Sequence, residues 1–362
     1  MKLLHCADLH LDARMSAHLD GQQAERRRGE LLHTFVRMVE YAATNGVAAI
    51  LIAGDLFDTS HTREITRSTV MNSILSHPGI AFFYLKGNHD ERNFLYELDS
   101  PPDNLKLFSD GWSVYECGNV AIYGAVLPVT GGSAILDSLQ TDEKKCNIVM
   151  LHGQTTEGTG ADWEINLKKL RGKGIDYLAL GHLHSHFTDR LDERGVLCNP
   201  GCLEGRGFDE CGTCGFVRLE TDEAAHLADM QFIPFASRRL FSVTADVTGC
   251  QSTHDMIQTI ALCISEAGCE EADHVRVILR GELDADCEKD LSFIRTAFGN
   301  HFDDFGVVDE TRLKVEWQEY LLDESLKGEF IRTVMGEESL TDEEKAAIVR
   351  VGLQALSGEE AR

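Results

Sequence analysis

The sequence predicts a mixed α/β (α+β) fold, with a large first domain and a smaller unit behind it. Two observations support the first domain: five runs of β-forming residues each end at a short polar block, and amphipathic segments lie between several of them. The second unit is indicated by a new order of strand-like and helix-like segments after Arg239. A chain of 362 residues is longer than one typical domain, which agrees with this division.

The five β-forming runs share one property, since each is followed at once by polar residues. The runs cover residues 2–6, 48–53, 80–85, 147–151 and 175–180. The polar blocks that follow are Asp8-Leu-His10, residues 54–58, residues 87–90, His152-Gly153 and residues 181–184. Functional sites in layered α/β folds gather on loops at strand ends, so we expect these blocks to meet in space.

Helices are predicted between the first runs. Apolar residues near helical spacing indicate one helix over residues 24–44, and a second is expected over 63–76. Between residues 93 and 132, two prolines and several glycines separate short β-forming stretches, which indicates loops that join two sheets. The first domain is therefore expected to be mixed α/β and not a single parallel βαβ array.

The second unit is predicted from alternating segments. Strand, helix, strand, helix and strand are expected over residues 240–247, 253–267, 274–279, 286–298 and 311–316, an order typical of a split βαβ domain. The tail is helical, with two apolar stripes and a capping box at residues 341–344 before its last helix. We expect three domains: 1–235, 236–318, and a C-terminal helical segment over 319–362.

Composition limits the classes of function. The net charge is −26, from 34 basic and 60 acidic residues, and residues 236–362 alone carry 13 basic and 27 acidic side chains. This balance disfavours broad binding to phosphate backbones, although local charge can dominate at a site. No apolar stretch approaches the ~20 residues of a membrane span. The eleven cysteines, an odd number, favour a reducing compartment, so we expect a soluble cytoplasmic protein.

The polar blocks contain ligands for divalent metal ions. Alternate residues of an extended segment point to one side, so Asp8 and His10 can reach the same ion, and His182 and His184 repeat this arrangement. A single Asp-x-His or His-Gly pair is more often structural than functional. Five such blocks in order favour a metal site.

The ligand types indicate the chemistry. Asp55 is the candidate bridge between two ions, and Asn88 adds an amide oxygen. Aspartate, histidine and asparagine without thiolate favour Mn²⁺, with Fe or Zn²⁺ as alternatives, over a structural zinc site. Two such ions hold a hydroxide and clamp the oxygens of a phosphoryl centre, so the sequence predicts hydrolysis of phosphate esters.

These blocks resemble those of the calcineurin-like metallophosphoesterase superfamily over about the first 205 residues. The resemblance implies a β-sandwich flanked by helices. It also implies two ion sites, formed by Asp8, His10, Asp55 and His184, and by Asp55, Asn88, His152 and His182. His89 would contact the scissile phosphate and assist the leaving oxygen, with Asp90 orienting its ring. Asp58 would order the loop beside the metals.

The stretch from Leu4 to Asp12, the Gly54–Asp58 block and residues 199–209 resemble the SbcD-type DNA-repair exonucleases, in particular their YhaO-like bacterial branch. This resemblance implies a DNA exonuclease or endonuclease that uses a metal-bound hydroxide. It further implies that residues 236–318 form a capping domain, that the C-terminal helices dock on an SbcC-type coiled-coil ATPase, and that the protein forms a homodimer. Arg206, in the third stretch, is a candidate for contact with substrate or for support of the site.

Alternatives remain at this point. The same metal core would suit a phosphodiesterase or phosphatase acting on nucleotides or other small phosphate esters, and a scaffold without activity is a third class. Cys211 and Cys214 have the spacing of a zinc knuckle or redox pair, but a hairpin turn with two incidental cysteines is favoured. His186 is expected to be an outer or surface residue, and residues 26–28, three arginines, a solvated helix face.

Overall fold

The computed structural model describes residues 1–15, 21–58, 62–90, 93–127, 132–158, 164–284, 287–314, 323–337 and 339–357. The chain divides into two compact units, Met1–Arg239 and Leu240–Arg362. The expected boundary between residues 318 and 319 lies outside the described residues. Within the described residues, no helix has both the length and the apolar character needed to cross a membrane.

Strands dominate the first unit. In chain order its elements are β1 (Lys2–Cys6), α1 (Gly21–Thr44), β2 (Ala49–Ala53), α2 (Glu64–Leu75), β3 (Ala81–Leu85), β4 (Leu105–Leu107), β5 (Ser113–Cys117), β6 (Val120–Gly124), α3 (Gly132–Asp137), β7 (Cys146–His152), β8 (Gln154–Thr156), β9 (Glu164–Asn166), β10 (Tyr177–Gly181), β11 (Phe187–Arg190), β12 (Val196–Asn199), β13 (Gly215–Thr221) and β14 (Leu227–Pro234). Short 3₁₀ turns lie at Phe94–Glu97 and Leu167–Lys169.

Two six-stranded sheets form the body of this unit. The first has the order β14-β13-β1-β2-β3-β4 and the second the order β11-β12-β10-β7-β6-β5. Four neighbouring strands are parallel in each sheet, β1 to β4 in one and β12, β10, β7 and β6 in the other. The prediction of a mixed α/β fold with two sheets is confirmed.

Apolar side chains fill the space between the sheets and cover their outer faces. Leu51 and Phe83 of the first sheet join Ile148 and Tyr177 of the second in one buried cluster. On the far side of the first sheet, α1 and α2 contribute a second cluster that includes Phe35. Each fully buried side chain of this size contributes roughly 1.5–3 kcal/mol by leaving water. The sheets are therefore a rigid support for the loops at their edges.

Register brings the polar blocks to one edge. In the first sheet Cys6 pairs with Ile52 and Ala53 pairs with Leu85, so the loops after β1, β2 and β3 leave side by side. In the second sheet Gly181 pairs with His152, so the loops after β7 and β10 are also neighbours. Parallel strands end at the same edge, and this places all five blocks on loops that can share a site.

The second unit is a small α/β layer followed by a helical pair. Its elements are β15 (Leu240–Asp246), α4 (Thr253–Ala267), β16 (His274–Arg280), β17 (Glu282–Asp284), α5 (Leu291–Gly299), β18 (Asp304–Asp309), β19 (Arg312–Lys314), α6 (Leu326–Met335) and α7 (Asp342–Ser357). Helices α6 and α7 pack on each other through Ile331, Val334, Val349 and Leu353.

The split βαβ prediction is wrong in its details. Strands β15, β16 and β18 are neighbouring parallel strands, connected by α4 and α5 without an intervening strand in the sheet. The sequence did not predict β18, because acidic residues and Gly306 interrupt its apolar pattern. The segment expected over residues 311–316 pairs with β17 in a separate ribbon, and residues 315 and 316 lie outside the described part of the chain. Residue 286, the expected start of α5, also lies outside the described part of the chain.

Gly181 provides a stability test of the contact between the two sheets. A Cβ at this position would lie 2.0 Å from the carbonyl oxygen of Ala53, so Gly181→Ala forces the two sheets apart at the site. We expect the free energy of unfolding to fall by about 3 kcal/mol, measured by denaturant titration. Gly29→Ala, in α1, is the control, because a Cβ at this position meets nothing within 4 Å. This substitution should raise the free energy of unfolding by up to about 1 kcal/mol. Equal effects of the two substitutions would contradict this packing.

Candidate metal centre

Unusual backbone geometry marks the loops that carry the site. Asp8, His10, Asp55 and His182 have φ of 52°, 44°, 50° and 105°, in the left-handed region that these residues rarely adopt. Hydrogen bonds between neighbouring loops hold this geometry, from Asp8 N to Gly54 O at 3.1 Å and from His10 N to Asp55 O at 2.9 Å. Each such residue costs roughly 1–3 kcal/mol, and strain of this kind clusters at functional sites.

The first ligand group consists of Asp8, His10 and His184, whose ligand atoms all lie within 4.8 Å of one another. His10 Nε2 and His184 Nε2 are 3.2 Å apart. Both rings meet a carboxylate at Nδ1, which favours the proton there and leaves a lone pair on each Nε2. Two lone pairs that point at each other repel unless a proton or a metal ion lies between or beside them. This donor set fits a divalent metal ion.

A second group lies next to the first. Asn88 Oδ1 is 2.9 Å from His152 Nε2 and 3.1 Å from His182 Nδ1. His152 Nδ1 donates to the carbonyl oxygen of Ala53 at 2.8 Å, so Nε2 is the ring nitrogen that can bind an ion once its own proton is displaced. Asp55 Oδ2 lies 3.4 Å from His152 Nε2. These groups form a second set of oxygen and nitrogen donors.

Asp55 lies between the two groups. Its Oδ2 is 3.8 Å from His10 Nε2 as well as close to His152, and its other oxygen accepts the backbone N–H of His89 at 2.8 Å. Asp8, Asp55 and His152 also form a cluster within 4.8 Å. The structure therefore brings together all seven residues that the sequence predicted as ligands, with Asp55 in the position of a bridge.

Buried charge explains why this cluster attracts cations. Burial raises the pKa of Asp8 to about 7. Burial alone would also raise the pKa of Asp55, but the hydrogen bond and charge of His152 hold it at about 2. Burial would lower the pKa of His152, yet Asp55 raises it to about 9. In the protein alone, a proton on His152 compensates Asp55, and metal ions would displace such protons.

His89 lies at the open side of the cluster, where 46% of its side chain is exposed. Its ring meets that of His10 edge to face, with centroids 5.0 Å apart. The carboxylate beside its ring belongs to Asp58, whose Oδ1 is 3.8 Å from His89 Nδ1 and 2.9 Å from His10 Nδ1. Asp58 thus touches both a ligand and the ring that faces solvent.

The predicted role of Asp90 is wrong. Its buried carboxylate accepts the backbone N–H groups of Leu56, Phe57 and Gly87 at 3.0–3.2 Å. It therefore fixes the loop after β2 against the loop after β3. The prediction failed because adjacency in sequence to His89 does not imply contact, and Asp90 points into the protein while His89 points outward.

Arg206 is directed toward carboxylates and not toward open solvent. It donates to Glu210 through Nε at 2.9 Å and to Asp58 Oδ1 through Nη1 at 3.2 Å. Glu210, which the sequence analysis missed, lies 2.8 Å from His184 Nδ1. Burial alone would raise the pKa of Glu210, but hydrogen bonds from His184 and Arg206 hold it at about 2. The sequence signal for Glu210 was its position four residues after Arg206, directly after the stretch 199–209 that was already singled out.

The remaining candidates are structural. Cys214 Sγ faces Cys202 Sγ at 3.4 Å, while Cys211 is exposed and contacts the carbonyl oxygen of Phe208. The ring of His186 stacks on Phe232 with centroids 4.2 Å apart, which agrees with an outer role.

The prediction that the three arginines at residues 26–28 form a solvated helix face is wrong for Arg27. This side chain is buried and donates to the carbonyl oxygen of Gly205 at 2.6 Å. It shares the buried face of α1 with Leu31, because residues four apart lie on one side of a helix. Helix α1 therefore supports the loop that carries Arg206.

Comparison with known proteins agrees with this geometry. Residues 1–186 match the family profile described as Calcineurin-like phosphoesterase. The uncharacterized metallophosphoesterase YhaO of Bacillus subtilis is 26% identical over 233 residues, which cover 60% of this chain and 56% of that protein. The DNA double-strand break repair protein Mre11 of Sulfolobus acidocaldarius is 27% identical over 205 residues, covering 53% of this chain and 52% of that protein.

The chain spans little more than half the length of these relatives. Among solved structures, a dimetal phosphatase from Danio rerio is similar with a TM-score of 0.39 and 13% identity, over 61% of this chain and 93% of that chain. An archaeal phosphodiesterase gives a TM-score of 0.36 and 13% identity, and the match covers 64% of this chain and 100% of that chain.

Substitution of Asp55 tests the bridging position. Asp55→Asn removes the charge between the two donor groups, so we expect both steps of Mn²⁺ binding to weaken by roughly tenfold or more, measured by calorimetric titration of the metal-free protein. Asp189→Asn is the matched control, because Asp189 is an exposed carboxylate on β11. Unchanged affinity for Mn²⁺ in Asp55→Asn would exclude Asp55 as a shared ligand.

Proposed function

Because the chain belongs to the calcineurin-like phosphoesterase family, as the sequence predicted, we propose that it is a metal-dependent hydrolase of DNA phosphodiesters. One observation carries the proposal: carboxylate, imidazole and amide groups from five separate segments at the ends of strands meet in two adjoining donor groups around Asp55. This donor set suits two divalent ions, with Mn²⁺ as the proposed metal and Fe or Zn²⁺ as alternatives.

The two donor groups divide the proposed ligands. Asp8, His10, Asp55 and His184 would hold one ion, and Asp55, Asn88, His152 and His182 would hold the other. Bound divalent ions supply positive charge for a phosphoryl centre and make water a nucleophile near neutral pH. The protein supplies the fixed geometry, since sheet register and loop hydrogen bonds orient each donor before substrate arrives.

His89 is the proposed catalytic acid. Its backbone N–H is held by Asp55 at 2.8 Å, so the ring keeps a fixed place at the open side of the cluster. The Asp58 carboxylate lies 3.8 Å from His89 Nδ1 and orients the ring. An imidazole in this position donates a proton to the leaving oxygen of the phosphodiester.

DNA is proposed as substrate from the similarity to Mre11 proteins, which are named for repair of DNA double-strand breaks. The ring of His89 is 46% exposed, so it can meet a substrate that binds from solvent. The net charge of −26 implies that few cationic side chains contribute to binding. We therefore expect weak DNA affinity that depends mainly on the divalent ions, with a shallow dependence on monovalent salt.

The second unit is proposed to help select the substrate and to bind a partner protein. We assign its α/β layer the role of a capping domain and its helices α6 and α7 the role of a docking segment for an SbcC-type coiled-coil ATPase. Leu326 is 70% exposed and Val351 is 46% exposed on these helices, which suits burial by a partner. A homodimer is also proposed, from the family resemblance alone.

A phosphodiesterase or phosphatase for nucleotides or other small phosphate esters is the second candidate. It is favoured by the acidic second unit, where 11 basic and 27 acidic residues oppose binding of a polyanion. End-labelled single-stranded and duplex DNA, each with Mn²⁺, separates the candidates when compared with a small diester such as bis(p-nitrophenyl) phosphate. Cleavage of DNA at the lower enzyme concentration supports the nuclease. Turnover of the small ester alone would replace it with the second candidate.

The role of His89 is tested by His89→Asn. We expect the turnover number to fall by about 10²–10⁴-fold, because the leaving oxygen loses its proton donor, while Mn²⁺ stoichiometry is unchanged. His33→Asn, on an exposed position of α1, is the matched control and should retain full activity. Full activity of the His89 variant would remove this residue from the mechanism and leave the metal site intact.

A further inference from the structure

Three charged side chains form a continuous chain behind two of the proposed ligands. We refer to these residues, Asp58, Arg206 and Glu210, as the charged brace. Arg206 donates to Asp58 Oδ1 at 3.2 Å and to Glu210 Oε1 at 2.9 Å. At its two ends, Asp58 meets His10 Nδ1 at 2.9 Å and Glu210 meets His184 Nδ1 at 2.8 Å. The brace thus connects two histidines whose Nε2 atoms are 3.2 Å apart.

The charged brace is buried at Glu210, partly buried at Arg206 and Asp58, and supported by hydrogen bonds. Glu210 is 5% exposed, and the Arg206 side chain is 19% exposed. Glu210 also accepts the backbone N–H of Arg206 at 2.7 Å, and Arg27 of α1 holds the preceding carbonyl of Gly205 at 2.6 Å. A buried carboxylate is tolerated only when cations and hydrogen bonds surround it. The brace therefore has one arrangement in which all its charges are satisfied.

The second donor group is supported differently. His152 donates its Nδ1 proton to the neutral backbone carbonyl of Ala53. A hydrogen bond to a carboxylate is stronger than one to a neutral carbonyl, and it holds the imidazole ring more firmly in one orientation. The rings of His10 and His184 are consequently fixed toward their ion more firmly than the ring of His152 is.

We propose that Glu210 is a positioning residue which, through the charged brace, holds His10 and His184 toward one ion and makes that ion bind more tightly than its neighbour. The ion of Asp8, His10 and His184 is then the first to bind, and the ion of Asn88, His152 and His182 is the second. The inference deepens the proposed function and rests on its assignment of two metal sites. Neither His152 nor Asn88 contacts the brace among the described hydrogen bonds.

The test uses metal binding and not activity. Metal-free wild-type protein is titrated with Mn²⁺ by calorimetry, with free Mn²⁺ followed by electron paramagnetic resonance, and two steps of unequal affinity are expected. Glu210→Gln keeps the size of the side chain and removes its charge. We expect it to weaken the tighter step by about 10–100-fold and to leave the weaker step unchanged.

Two further variants make the result specific. Asp209→Asn removes a charge from the exposed neighbour of Glu210 and should leave both steps unchanged. Asp58→Asn alters the opposite end of the brace, so it should weaken the same step as Glu210→Gln. If Glu210→Gln does not fold, as judged by circular dichroism and thermal unfolding without metal, Asp58→Asn alone tests the role of the brace.

The outcomes are distinct. An unchanged tighter step in the brace variants, or equal weakening of both steps, overturns the proposal. The same loss in Asp209→Asn would overturn it too, because a general charge effect would then explain the result. Loss of the tighter step in the brace variants, in a protein that cleaves no DNA, would contradict the proposed nuclease and support the brace.

Discussion

Two carboxylates, those of Asp8 and Asp55, are buried at the ends of neighbouring parallel strands, and their charge has to be compensated in a dry environment. The compensation comes from histidines of the same and of neighbouring segments, whose ring nitrogens lie close to the carboxylates and to one another. Sheet register is what brings these loops together. The strained backbone at Asp8, His10 and Asp55 is maintained because the loop hydrogen bonds and the sandwich core outweigh its cost.

Much of this arrangement could be predicted from sequence because it depends on local pattern. Strand β1 and helix α4 have the predicted bounds, since an apolar run bounded by a polar block and a capped amphipathic segment are strong local signals. The proposed ligands were recognisable because each directly follows a strand. Their meeting in space follows from the order of parallel strands.

The parts that were missed depend on contacts between distant segments. Glu210 reaches His184 because the chain after β12 returns to the site, where Cys202 N donates to His184 O at 3.1 Å. Asp90 binds the loop of Leu56 and Phe57, and Arg27 binds Gly205, across large separations in sequence. Such pairs leave no periodic signal. Strand β18 was missed for another reason, because pairing with β16 overrides a weak local β propensity.

The supports of the site are as specific as its proposed ligands. One histidine pair is backed by carboxylates linked through Arg206, whereas His152 is backed by a backbone carbonyl. Diffraction at the manganese absorption edge, from crystals grown with Mn²⁺, tests the two-metal site most directly. Two anomalous peaks are predicted, one among Asp8, His10, Asp55 and His184 and one among Asp55, Asn88, His152 and His182. A single peak, or peaks away from Asp55, would contradict a two-metal site.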